Sequence, residues 1–112
     1  MSVYHVTNSE NRKSIREQGL LAYDTTRHHF CGAVLNAGVE CVFAFTTLSA
    51  AREWALGNFY AKGPDDIWEI DADGLDVEPD PYCGHGYPLT HALRILSAVS
   101  PERLTLLEEK DD

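Results

Sequence analysis

Four short stretches of this chain hold side chains that could do chemistry. The first is Tyr4-His5-Val6-Thr7. Side chains alternate along a strand, so Tyr4 and Val6 share one face and His5 and Thr7 the other. An imidazole and a hydroxyl pointing the same way could grip a sugar; the plain alternative is a strand with one half-buried polar face. The second is Val42-Phe43-Ala44-Phe45-Thr46-Thr47-Leu48-Ser49-Ala50-Ala51-Arg52-Glu53-Trp54. Phe43 and Trp54 supply flat rings that could enclose a flat ligand, and a cationic ring would gain cation–π attraction. The same rings would equally serve core packing. The third is Asp76-Val77-Glu78-Pro79-Asp80-Pro81, carboxylates on a segment stiffened by proline. Asp76, Glu78 and Asp80 alternate and can face one side. A carboxylate there could bind a hydroxyl or stabilise a positive transition state; otherwise this is a solvated edge whose charges and prolines block aggregation.

The fourth stretch is split. His28-His29 precedes Cys31, and Cys83 precedes His85. Zinc sites use closely paired ligands such as C-x₂-C or H-x₃-H, a spacing that Cys31, Cys41 and Cys83 do not have, so no metal is expected. No elbow motif supports a nucleophile–base pair. Gly84-x-Gly86 lacks the Lys-Ser/Thr and the helix start of a phosphate loop.

These stretches must be held by the elements around them. Residues 3–6 read as a short strand. Thr7, Asn8 and Ser9 offer N-cap oxygens for a helix, with Glu10 near its positive end. The polar segment to Gln18 is anchored by Ile15, and Gly19 supplies the positive-φ residue past its end. Residues 20–23 read as a second strand, and residues 24–40 as a long loop of a length usually tied to function. The apolar run 40–46 reads as a buried strand. Thr47 or Ser49 caps a helix whose apolar positions Leu48, Ala51, Ala55 and Phe59 keep helical spacing; Gly63-Pro64-Asp65 breaks the chain after it. Ile67, Trp68 and Ile70 suggest a strand through Asp71, and residues 75–81 an extended segment. A Gly-rich loop (82–90), a strand (93–96), a turn at Ser100-Pro101-Glu102 and a last strand (104–107) follow. Helices early and strands late give an α+β fold rather than an alternating parallel one.

The chain has 112 residues, 44% hydrophobic and 24% charged, as in an ordinary globular domain. Its length predicts one domain, residues 1–108, with an acidic disordered tail at 109–112. Lys plus Arg is 9 and Asp plus Glu is 18, a net charge of −9. That argues against strong nucleic-acid binding, which runs on clustered Lys and Arg, and against an anionic membrane surface. No apolar run approaches the ~20 residues of a membrane helix, and the first residues lack a signal-peptide pattern. With an odd number of widely spaced cysteines, the expectation is a cytoplasmic protein with reduced thiols.

Taken in order, the motifs resemble the small bacterial members of the ADP-ribosyltransferase superfamily. Tyr4-His5-Val6-Thr7, the polar helix with Ser14-Ile15-Arg16, and Gly19-Leu20 are similar to that group's opening, commonly His-x-Thr, a helix and Gly-Leu. Val42 through Trp54 resembles its second motif, a strand with an aromatic and then a helix with Ala-Ala and an aromatic. Residues 74–81, followed by Leu93-Arg94-Ile95-Leu96, are similar to the rifampicin-modifying enzymes, in which an acidic Asp-Pro segment takes the role of the superfamily's usual glutamate. The resemblance spans nearly the whole chain.

It implies an ADP-ribosyltransferase-like α+β fold, with two short helices early and a split, mainly antiparallel sheet. It implies an NAD-dependent ADP-ribosyltransferase or NAD glycohydrolase, with NAD bound and nicotinamide released, and leaves open a toxin, a resistance factor or a phage or defence protein. His5 would hydrogen-bond the adenosine ribose, with Thr7 beside it. Phe43, where the family usually has Tyr, would stack on nicotinamide, and Trp54 would form the opposite wall. Asp80 or Glu78 would carry catalysis by stabilising the cation-like transition state, because the region of the late family glutamate reads Thr90-His91-Ala92. The acceptor is a protein, a nucleic acid, a small molecule or water. The missing glutamate leaves a non-catalytic NAD-binding or immunity module as the alternative. An RNA 2′-phosphotransferase shares the superfamily fold, but would carry a clustered Arg set that this chain lacks.

Overall fold

A computed structural model of the protein describes residues 1–24, 29–30, 33–34, 40–57, 65–79 and 92–108. The chain forms β1 (Ser2–Asn8), a 3-10 turn (Ser9–Asn11), α1 (Arg12–Gln18), β2 (Tyr23–Asp24), β3 (His29–Phe30), β4 (Ala33–Val34), β5 (Glu40–Phe45) and α2 (Leu48–Gly57). Then come β6 (Asp65–Asp71), β7 (Val77–Pro79), β8 (Ala92–Ile95), a second 3-10 turn (Pro101–Arg103) and β9 (Leu104–Glu108). The main sheet has the order β7-β8-β5-β1-β6-β9, with β2 also pairing with β5, while β3 and β4 pair with each other. Every strand pairing among the described residues is antiparallel. The fold is α+β, as the sequence leads one to expect.

The 24–40 segment differs from expectation, because β3 and β4 pair as a two-stranded antiparallel sheet inside it. Two-residue strands are too short to show a period of two, so the pattern there reads as loop.

The two helices lie on opposite faces of the sheet. On the α1 face, Ile15 and Leu20 pack with Val3, Val42, Ala44, Trp68, Ile70, Leu93, Ile95 and Val99. On the α2 face, Ala50 and Ala51 pack with Phe45 and Ile67, and Tyr4, Val6 and Leu48 lie against them. β5 therefore sends Val42 and Ala44 one way and Phe45 the other. Both of its faces are covered, which is why it reads as a continuous apolar run.

Local chemistry sets where each helix starts and stops. The Asn8 side chain accepts from the Glu10 N–H at 2.9 Å, and Thr47 Oγ1 accepts from the Ala50 N–H at 3.1 Å; each satisfies an orphan donor of a first turn. Gly19 ends α1 at φ 79, ψ −163, a region open essentially only to glycine. A Cβ there would fall 2.0 Å from the Val99 carbonyl oxygen. The next residue, Leu20, exchanges both backbone hydrogen bonds with Val99 at 2.9 and 2.8 Å. Arg12, at the start of α1, forks onto Asp66 of β6, Nε to Oδ2 at 2.9 Å and Nη2 to Oδ1 at 2.8 Å. Asp66 is fully buried. A buried carboxylate needs such a partner, and the pair fixes α1 against the sheet.

Candidate functional site

The arrangement begins with a break in a ladder. β1 and β5 are in register only at Tyr4↔Phe45. Continuing that register would set Val6 opposite Phe43. Instead β2 pairs with the other end of β5, at Tyr23↔Cys41 and Asp24↔Glu40, so β1 and β2 meet β5 at different ends. Where the β1/β5 pairing stops, the His5 ring replaces a backbone partner, with Nδ1 2.5 Å from the Phe43 carbonyl oxygen. A carbonyl only accepts, so Nδ1 carries the proton, and in the neutral ring Nε2 is the acceptor. Burial pushes the His5 pKa below its ordinary value and outweighs the opposing hydrogen bond to Phe43. The ring is therefore neutral near pH 7 and can accept a hydrogen bond from a ligand hydroxyl.

A cavity of about 210 Å³ opens beside this split, between α1 and the sheet. β1 contributes His5 and Thr7 to its lining, the first 3-10 turn contributes Asn11, and α1 contributes Ser14, Ile15 and Gln18. Gly19, Leu20, Leu21 and Val42 complete it. The described lining thus mixes polar but uncharged side chains with aliphatic ones. Asn11 Nδ2 donates to Thr7 Oγ1 at 3.0 Å, which ties the turn to the strand. The volume is below the ~300–1,000 Å³ of pockets that hold a whole ligand, so the cavity takes a nucleoside-sized part. With no cation among its described lining residues, it suits a sugar and base better than a phosphate.

The residues expected from the sequence divide as follows. His5 and Thr7 come together in the cavity, on the α1 face. Phe43 meets His5 through its carbonyl, while its side chain, two residues from Phe45 on β5, falls on the α2 face. Trp54 lies on α2, the helix covering that face, and its side chain is outside the described residues, as is Asp80. Glu78 lies on β7 directly opposite Arg94 of β8 and forms an ion pair with it, Nε and Nη2 both approaching Oε1. Arg94 is in turn directly opposite Phe43, so Phe43, Arg94 and Glu78 form one cross-strand row. The structure does not bring Glu78 to the His5 cavity. His28, Cys31, Cys83 and His85 lie outside the described residues, and Cys41 is fully buried in β5. Among the described residues no group of His, Cys, Asp or Glu is placed to hold a metal, and no helix is long and apolar enough to cross a membrane.

The sequence reading missed Asn11, Ser14 and Gln18. The signal was available, since positions 11, 14, 15 and 18 fall on one face of a helix. A polar stripe beside the one buried anchor, Ile15, marks a wall that faces a ligand space as well as a core. No family model and no curated protein matches the chain.

Proposed function

We propose that this protein is an NAD-dependent ADP-ribosyltransferase, with NAD as its bound substrate. The observation that carries the reading is the cavity at the β1/β5 split, where neutral His5 stands with Thr7, Asn11, Ser14 and Gln18 alongside Ile15, Leu20 and Val42. That combination suits the ribose and base of a nucleoside: hydroxyls for the polar side chains, a flat ring for the aliphatic ones. In this reading NAD lays its adenosine half in the cavity and passes His5 at the split. Its nicotinamide then reaches the face that carries Phe43 and α2.

The chemistry asks little of the protein beyond positioning. The bond from the ribose carbon to the cationic nicotinamide nitrogen breaks, and the electron pair leaves with nicotinamide, which departs neutral without a general acid. A nucleophile of the acceptor then bonds to the ribose carbon and gives up its proton. The residues must hold NAD in that geometry and set a carboxylate near the developing sugar cation. Asp80 and Glu78 are the carboxylates that the resemblance assigns to this task.

One observation favours a second reading, a non-catalytic NAD-binding module: the Glu78 charge is already compensated by Arg94. The uncharged described lining of the cavity weighs against a 2′-phosphotransferase, whose substrate phosphate calls for arginines. Release of nicotinamide from labelled NAD separates the two main readings, measured with and without an added cell extract as the source of acceptor. The transferase reading expects release that depends on the protein and is lost in His5→Ala. NAD binding with no release under either condition would leave the binding module standing.

A further inference from the structure

Arg94 carries an unexplained atom. Its side chain is 14% exposed, and its Nη1 is buried with no hydrogen-bond partner. Nε and Nη2 are turned to Glu78, so one edge of the guanidinium is occupied and the remaining nitrogen is not. A buried donor left without an acceptor is unfavourable, and native structures hold few of them; a missing ligand group is one of the standard reasons. The location narrows the choice. Arg94 is directly opposite Phe43, and side chains so paired start about 4.5–5.5 Å apart at Cβ. Arg94 therefore stands in the same cross-strand row as the ring on which the proposed function stacks nicotinamide.

Charge narrows it further. Arg94 and Glu78 together are neutral. A bare guanidinium would repel a cationic ring, whereas the pair presents an N–H donor without net charge. For the same reason the pair has little attraction for a diphosphate. The acceptor that fits is an uncharged oxygen carried by the stacked ring.

We infer that Arg94 Nη1 donates a hydrogen bond to the carboxamide oxygen of the nicotinamide on Phe43, and that Glu78 serves to neutralise and orient Arg94. This deepens the proposed function and rests on it. Arg94 is then a specificity residue, reading the group that distinguishes NAD from ADP-ribose.

The test titrates wild-type protein, Arg94→Lys and Arg94→Met with NAD and with ADP-ribose, which lacks the nicotinamide. Lysine keeps the ion pair across the ladder but has no third nitrogen, so it separates the donor from the charge even where methionine fails to fold. The expected result is about a tenfold loss of NAD affinity in both variants, the scale of one hydrogen bond, with ADP-ribose affinity unchanged. Arg94→Lys binding NAD as tightly as wild type, or losing both ligands by the same factor, overturns the inference and leaves the proposed function intact. Wild-type protein that binds neither ligand removes both.

Discussion

His5 Nδ1 donates to the Phe43 carbonyl at 2.5 Å, where a continuous β1/β5 ladder would have set Val6 against Phe43. The ring takes over a bond that belongs to backbone in an unbroken sheet, and the strands separate beyond it. The same contact fixes the tautomer, so one hydrogen bond both opens the cleft and aims an acceptor at it.

Because burial lowers the His5 pKa, the folded chain resists protonation that the unfolded chain accepts. Below the ordinary value of 6.5 the unfolded state binds more protons, and stability falls as pH falls until the lowered folded pKa is reached. Urea unfolding at about pH 7.5 and about pH 5.5 should show wild type losing more stability than His5→Gln. Equal losses would mean that His5 titrates normally in the folded protein.

Gly19 and Gly74 both have positive φ, 79 and 81, but only Gly19 is crowded. A Cβ at Gly19 meets the Val99 carbonyl oxygen at 2.0 Å, whereas one at Gly74 meets nothing within 4 Å. Gly19→Ala should therefore cost about 3 kcal/mol or more, with strain and a displaced backbone acting together, and should weaken ligand binding because Gly19 and Leu20 line the cavity. Gly74→Ala should cost only about 1 kcal/mol. Thermal and urea unfolding of the two variants check the difference.

The Arg12–Asp66 pair joins α1 to β6, with Asp66 at 0% exposure and Arg12 at 25%. Removing either partner strands a charge at a site the other was built to balance. Arg12→Ala and Asp66→Ala should each lose about 3 kcal/mol. The double variant should lose much less than the sum, which a double-mutant cycle in urea reads directly.

Ser14 is exposed on α1 and lines the cavity. Ser14→Trp should fill that space without breaking the helix or the core. The expected outcome is an unchanged unfolding midpoint and at least a tenfold loss of NAD and ADP-ribose affinity, measured by calorimetric titration. Unaltered affinity would place the ligand elsewhere.

Most of the elements were legible from the residues. Val3 and Ile67 sit in runs whose alternation marks strands, Val42 in a continuous apolar run that marks a strand covered on both faces, and Asn8, Thr47 and Gly19 mark helix ends through their own side chains or lack of one. The alternation also placed His5 and Thr7 together. What alternation within a strand cannot reveal is which strands become neighbours, so the β1/β5 break had no local signature, although the polar stripe of Asn11, Ser14 and Gln18 beside Ile15 marked one wall of the cavity. Glu78 shows the same limit. Its proline-flanked setting pointed to a free carboxylate, but β8 puts Arg94 beside it, sixteen residues away in the chain.

The central claim is that NAD binds across the β1/β5 split, with His5 and Phe43 both against it. An NMR titration of isotope-labelled protein with NAD, to about 1 mM, tests this most directly. The account predicts saturable shifts at His5, Thr7, Asn11 and Gln18 on one side and at Phe43 and Arg94 on the other, together in one binding event. No saturable shift at these residues by that concentration, or shifts confined to a different surface, would contradict it.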